Sequence, residues 1–208
     1  MTTVLLVDDH ATMRAGFRMI LEASGIDIAG EAATGREAVA LAASVDPDVV
    51  FMDVQMPDMD GIEATRQIVS SGSRAAIVIV TTFDRDDYLF AALDAGASGF
   101  LLKNAGPEEL VHAARVAASG DAMLAPEVTR RVIESRGSAA MPANLDIFTE
   151  REAEIMRLLA RAMSNAEIAS HLFIGEATVK THVSNILMKT GSRDRVAAVV
   201  WAYTHGLV

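Results

Sequence analysis

Three carboxylates stand at the ends of short apolar runs: Asp8 and Asp9 follow Val4 to Val7, and Asp53 follows Val49 to Met52. Carboxylates gathered at one point repel one another unless a cation joins them. Mg²⁺ suits such a set, because it is hard, takes oxygen ligands octahedrally and keeps waters that an incoming phosphate can replace. Two more residues end similar runs, Thr81 after Ile77 to Val80 and Lys103 after Phe100 to Leu102. A hydroxyl can donate a hydrogen bond to a phosphoryl oxygen, and an ammonium supplies it with a point charge. The chemistry this set suggests is phosphoryl transfer to a carboxylate. Each residue alone has a plainer reading: an aspartate capping a turn, a solvated lysine, a threonine that favours strands, a core phenylalanine at Phe100. The joint order along the chain is what makes the set specific.

These residues meet only if their runs are strands of one sheet. Val4 to Val7, Ile26 to Glu31, Val49 to Met52, Ile77 to Thr81 and Phe100 to Leu102 are short and rich in apolar and β-branched residues. Stretches of helical spacing follow them, as at Ile62, Thr65, Ile68 and Val69, or Leu110, Val111, Ala114 and Ala117. Strands alternating with helices predict an α/β fold, a doubly wound parallel sheet covered on both faces. Ligands of such sheets bind at the carboxyl ends of the strands.

At Asp8-Asp9, Asp53 with Met56-Pro57 and Gly61, Thr81, Gly96-Ala97 and Lys103, residues 1–120 resemble a CheY-like (βα)5 receiver domain of two-component systems. The resemblance implies that Asp53 is the phosphoacceptor. It also implies that Asp8, Asp9, Asp53 and the Gln55 backbone carbonyl hold Mg²⁺, and that Thr81 and Lys103 contact the phosphoryl group. Thr81 and Phe100 would form the switch, although a Phe at this place can repack without making a side-chain hydrogen bond.

Beyond Gly120 the strand signal stops. Residues 121–145 read as a linker, part helical from Pro126 to Arg136 and flexible through Gly137 to Pro142. Residues 146–208 read as four helices. Thr149 with Glu152 makes a capping-box pattern, Ser164-Asn165 starts a second helix, Gly175-Glu176 precedes a third, and Ser192 starts a fourth. Along the third helix Val179, Val183, Ile186 and Leu187 should face inward, leaving Lys180, Thr181, Ser184 and Asn185 on the opposite side.

Thr149 to Glu152, Ser164 to Ala169 and Thr178 to Val183 resemble the LuxR-type helix-turn-helix of NarL/FixJ response regulators. That resemblance places Lys180, Thr181 and Ser184 near bases. Lys189 and Arg193 are better placed for phosphates. The final helix, with Val196, Val199, Val200 and Trp201, carries more apolar surface than a small core obviously needs. Its valines are candidates for pairing with a second copy as well as for the core. Three departures stand out: Gly175 where the family usually has a Ser cap, Ala162 for a Gly, and Thr190 for a Leu, which should loosen local packing. His182 lacks a second ligand at helical spacing and reads as structural or backbone-contacting.

The family thus implies a transcriptional regulator with a sensor histidine kinase, double-stranded DNA and a homodimeric second copy as partners. The net charge of -10 argues against nucleic acid only at first sight. Residues 1–124 hold 8 Lys+Arg against 19 Asp+Glu, whereas residues 125–208 hold 10 against 9. Absence of cysteine excludes disulfides and thiolate metal sites. The start of the chain has neither the basic region nor the apolar length of a signal peptide, and a cytoplasmic protein is expected. An enzyme is not expected, since Asp53 is followed by Val54-Gln55 without an obvious second general acid.

Overall fold

A computed structural model describes residues 2–82, 86–119, 147–161 and 163–207. The sequence readings on residues 121–145 and on Ala162 lie outside the described residues. The chain divides into two compact units, Met1–Met123 and Leu124–Val208.

The first unit is built on five parallel strands: β1 (Thr3–Val7), β2 (Asp27–Ala32), β3 (Val49–Asp53), β4 (Ala76–Thr81) and β5 (Gly99–Leu102). Their order is β2-β1-β3-β4-β5, so the chain reverses its direction of travel between β2 and β3. Helices α1 (Ala11–Ala23), α2 (Gly35–Val45), α3 (Gly61–Ser70), α4 (Asp86–Ala95) and α5 (Pro107–Ala118) connect and follow the strands. Val4 and Leu6 point to one face, toward Leu21, Leu110 and Ala114, while Leu5 and Val7 point to the other and are equally buried. Burial on both faces explains why the strands read as continuous apolar runs without alternation.

The second unit holds α6 (Glu150–Ala160), α7 (Asn165–Leu172), α8 (Glu176–Thr190) and α9 (Arg195–Thr204). Thr149 and Ser164 cap α6 and α7 through reciprocal bonds with Glu152 and Glu167. Gly175 caps α8 without a side-chain bond, as its lack of a side chain requires. The last helix begins later than Ser192, because the Asp194 carboxylate accepts the Ala197 N–H at 2.9 Å and so sets the cap. Thr190 does not leave the helix end loose: its hydroxyl lies 2.9 Å from the Ile186 carbonyl and 2.7 Å from the Ser192 hydroxyl. Phe173 ends α7 in the left-handed region at φ 55°. For an L-residue with a Cβ that conformation costs about 1–2 kcal/mol. No helix among the described residues is long and apolar enough to cross a membrane.

Candidate functional site

Parallel pairing aligns the carboxyl ends of β1, β3, β4 and β5, and the predicted residues arrive there together. Asp53 is the last residue of β3, opposite Val80, and Thr81 ends β4 opposite Leu102. The Lys103 N–H donates to the Thr81 carbonyl at 2.7 Å, which carries Lys103 past the end of β5 toward β3. Its ammonium sits 2.7 Å from Asp53 Oδ2 and 2.6 Å from Asp8 Oδ2. Asp8, Asp53 and Thr81 are all buried, and Asp9 is exposed. The Gln55 N–H donates to Asp53 Oδ1 at 3.4 Å.

Burial pushes the Asp53 carboxyl above its ordinary range, against the pull of the Lys103 ammonium, and the charge of Asp8 adds to the push. Burial also works against the charge on Lys103, but the bond to Asp53 and the nearby Asp8 carboxylate outweigh it and raise its pKa. The buried Asp8 Oδ2 is met by the Lys103 ammonium as an ion pair. Three carboxylates, Asp8, Asp9 and Asp53, are gathered here around the single Lys103 ammonium, which leaves negative charge for a cation to balance. Oxygen atoms of Asp8, Asp9 and Asp53 and a ring nitrogen of His10 lie within 4.8 Å of one another. The three carboxylates among them offer the oxygen ligands that a hard divalent cation takes.

Two supporting groups were not singled out in the sequence. His10 Nδ1 lies 2.6 Å from Asp9 Oδ1, and its backbone N–H donates to Asp8 Oδ1 at 2.8 Å. Arg14 bonds the Asp8 carbonyl and, at 3.1 Å, Glu31 Oε2 on β2, fixing the turn that carries the aspartates. The adjacency of His10 to Asp8-Asp9 was the available signal for the first. Arg14 gave none, since its partner is 17 residues away. Phe100 is buried on β5, 9% exposed, beside Ile79.

In the second unit, the predicted face of α8 is where the spacing put it. Lys180, Thr181 and Ser184 are exposed, Asn185 is half-buried, and Val179 and Ile186 are in the core. Lys189 and Arg193 are more constrained than expected. The Lys189 ammonium is 2.6 Å from Oε2 of the buried Glu152, and Arg193 Nε is 3.3 Å from Asp194 Oδ2. A DNA phosphate would have to compete with these carboxylates. The valines of the last helix divide. Val196 and Val199 are buried within the unit, 1% and 4% exposed, which withdraws them from pairing with a second copy; only Val200 stays half-buried. Trp201 meets Phe148 edge to face at 5.5 Å, so part of the apolar surface of α9 is taken up internally.

Glu152 is held below the ordinary carboxylate range: burial opposes this, but the Lys189 ammonium and the Thr149 N–H and hydroxyl outweigh it. A depressed folded pKa stabilises the unit fully above the unfolded value of about 4.3, and that stability is lost as pH falls through the folded pKa. Lys189→Met should therefore cost about 2 kcal/mol in urea melts at pH 7 and move the acid transition of the unit to higher pH. An unchanged acid transition would show that the pair is solvated and idle.

Comparison with known proteins follows the same division. The receiver domain family of response regulators matches residues 4–115, and the luxR family of bacterial regulatory proteins matches residues 146–202. The transcriptional regulatory protein YxjL of Bacillus subtilis is 42% identical over 210 residues, covering 99% of this chain and 96% of its own. The response regulator protein VraR of Staphylococcus aureus is 41% identical over 207 residues, covering 99% and 98%. Among solved structures, the response regulator ChrA of a heme-sensing two-component system is 38% identical, covers 99% of this chain and 98% of its own, and superposes with a TM-score of 0.54. A LuxR-family response regulator from Aurantimonas is 36% identical over 66% of this chain, with a TM-score of 0.61.

Proposed function

The chain belongs to the two-component response regulators with a LuxR-type DNA-binding domain, and on that premise we propose that Asp53 takes a phosphoryl group from a sensor histidine kinase and so controls DNA binding by α8. The observation that carries this is the Lys103 ammonium held between Asp8 Oδ2 and Asp53 Oδ2 at 2.6 and 2.7 Å, at the sheet edge that Thr81 shares. An oxygen of Asp53 forms the new O–P bond while the P–N bond to the kinase histidine breaks. The imidazole keeps the electron pair and takes up a proton. Lys103 stays as counter-charge to the phosphoryl oxygens, and the Thr81 hydroxyl donates to one of them. Asp8, Asp9, Asp53 and the Gln55 carbonyl would hold Mg²⁺, which neutralises carboxylate and phosphoryl charge when bound.

Residues 1–120 act as the receiver, 121–145 as the linker and 146–208 as the DNA-binding domain. Recruitment of Thr81 by the phosphoryl group, with repacking of Phe100, biases the protein toward a homodimer that binds paired half-sites in the cytoplasm. Lys180, Thr181, Ser184 and Asn185 face the major groove. Lys189 and Arg193 reach phosphates only by exchanging carboxylate partners.

The test is a mobility shift with a duplex that the full-length protein selects from a random-sequence library. With Mg²⁺ and acetyl phosphate, affinity should rise at least about tenfold, a change of about 1.4 kcal/mol. Equal affinity with and without the phosphodonor would overturn the proposal.

A further inference from the structure

Among the described residues of the second unit, three large apolar side chains are exposed, Ile147 only partly at 37%, but Phe173 and Met188 stand in water at 95% and 74% exposure. Phe173 and Met188 stand at the two ends of α8. Phe173 lies in the turn before it, and its neighbour Ile174 is turned inward to the core, so the chain delivers one side chain to the interior and the other outward. The turn is fixed from both sides: Arg151 donates to the Leu172 carbonyl at 3.2 Å, and the Ile174 N–H to the Ala169 carbonyl at 3.0 Å. Met188 belongs to the exposed row Ala177, Thr181, Ser184 and Met188, whose steps of four, three and four residues keep it on one side of the helix.

Three cations of the same surface each stand beside a carboxylate, so a phosphate would have to compete for them. Lys180 lies 3.3 Å from Glu176, Lys189 2.6 Å from Glu152 and Arg193 3.3 Å from Asp194. The 15-residue helix is about 22 Å long, against a major groove about 12 Å wide, so side chains at its two ends are spaced to meet the sugar-lined walls or the thymine methyls of the groove floor. Phe173 thus combines a ring left almost wholly in water with a left-handed backbone whose conformational cost glycine would avoid.

We propose that Phe173 and Met188 bracket the DNA-reading face and hold the duplex by apolar contact, against deoxyribose or the thymine 5-methyl group, where a more basic protein would use phosphate charge. The proposal rests on α8 being the helix that enters the groove. DNA binding by this chain then has a shallower salt dependence than a face of unpaired lysines would give.

The experiment uses the full-length chain with Mg²⁺ and acetyl phosphate on a library-selected duplex, comparing Phe173→Gly, Met188→Gln and Lys180→Gln across a salt series. Phe173→Gly should bind about tenfold more weakly with an unchanged salt slope. Its thermal midpoint should equal or exceed that of the parent, because glycine suits φ 55°. Met188→Gln should also weaken binding without moving the slope, whereas Lys180→Gln should reduce the slope. Replacing thymine by uracil in the duplex assigns the contact. If the Phe173 effect vanishes, the partner is the methyl group; if it persists, the partner is the sugar. Phe173→Gly binding within twofold of the parent overturns the inference while leaving DNA recognition by α8 intact. A parent protein that selects no duplex at all overturns the reading beneath it.

Discussion

Asp53→Asn should abolish acid-labile acyl-phosphate formation from acetyl phosphate or a kinase, a loss of more than about a hundredfold, while leaving the receiver folded. The amide keeps the shape of the carboxylate and removes its nucleophilic oxygen. Retention of fold follows from the electrostatics of the site. The raised pKa of Asp53 means that the folded receiver binds its proton more tightly than the unfolded chain does. Stability contributed by this group is therefore greatest below the unfolded value of about 3.9 and falls as pH rises toward the raised folded pKa, so at neutral pH the full penalty of the buried charge is present. Asparagine removes that titration, and Lys103 still has Asp8 as its ion-pair partner at 2.6 Å. The variant's midpoint without added Mg²⁺ should be no lower than the parent's at pH 7, and the comparison should shift against it as pH is lowered. Labelling that survives in Asp53→Asn would place the acceptor elsewhere; a collapsed variant would show that the Lys103 bond outweighs burial.

Gly61→Ala should destabilise the receiver by about 3 kcal/mol or more in urea melts, although it adds one methyl group at the first position of a helix. A Cβ on Gly61 would lie 1.8 Å from the backbone oxygen of Asp53 and 3.0 Å from Met52 Cγ. Neither can yield cheaply: the oxygen belongs to the end of the central strand, and Met52 is fully buried. The Gly61 N–H also donates to the Val54 carbonyl at 2.9 Å, pinning the start of α3 against the loop after Asp53. Phosphoacceptance should fall together with stability, because relief of the clash must move the Asp53 backbone. A variant that melts like the parent would mean that the loop between Asp53 and Gly61 opens without cost.

The strand-end set was legible because a parallel sheet converts sequence order into spatial coincidence. Once the apolar runs at Val4, Val49, Ile77 and Phe100 are strands of one sheet, Asp8, Asp53, Thr81 and Lys103 must share an edge. The polar face of α8 was legible for a similar reason, since helical period alone separates Thr181 from Val179. What escaped depends on contacts between distant residues. Nothing near Lys189 announces Glu152, 37 residues earlier, as its partner. Val196 and Val199 could not be divided from Val200 by pattern, because an apolar helix face looks the same whether its cover is its own core or a second copy. Gly61 was visible as part of a motif, but its steric reason appears only with Asp53 folded above it. The left-handed Phe173 runs against local propensity, and such positions cannot be read from preferences that assign them to glycine or asparagine.

The strand order makes the receiver lopsided. Asp53 ends the middle strand, and the residues that would register a change in its charge, Thr81, Phe100 and Lys103, lie in β4, in β5 and just past its end, on one flank. On the opposite flank, the turn after β1 that carries Asp8 and Asp9 is tied to β2 by Arg14, which bonds the Asp8 backbone carbonyl and the Glu31 carboxylate. On the proposed function, one half of the sheet is an anchor and the other a lever. Substitutions on the outer surface of β2 and α2 should be nearly silent for signalling, and an engineer grafting a new input onto this protein has that half of the sheet to build on.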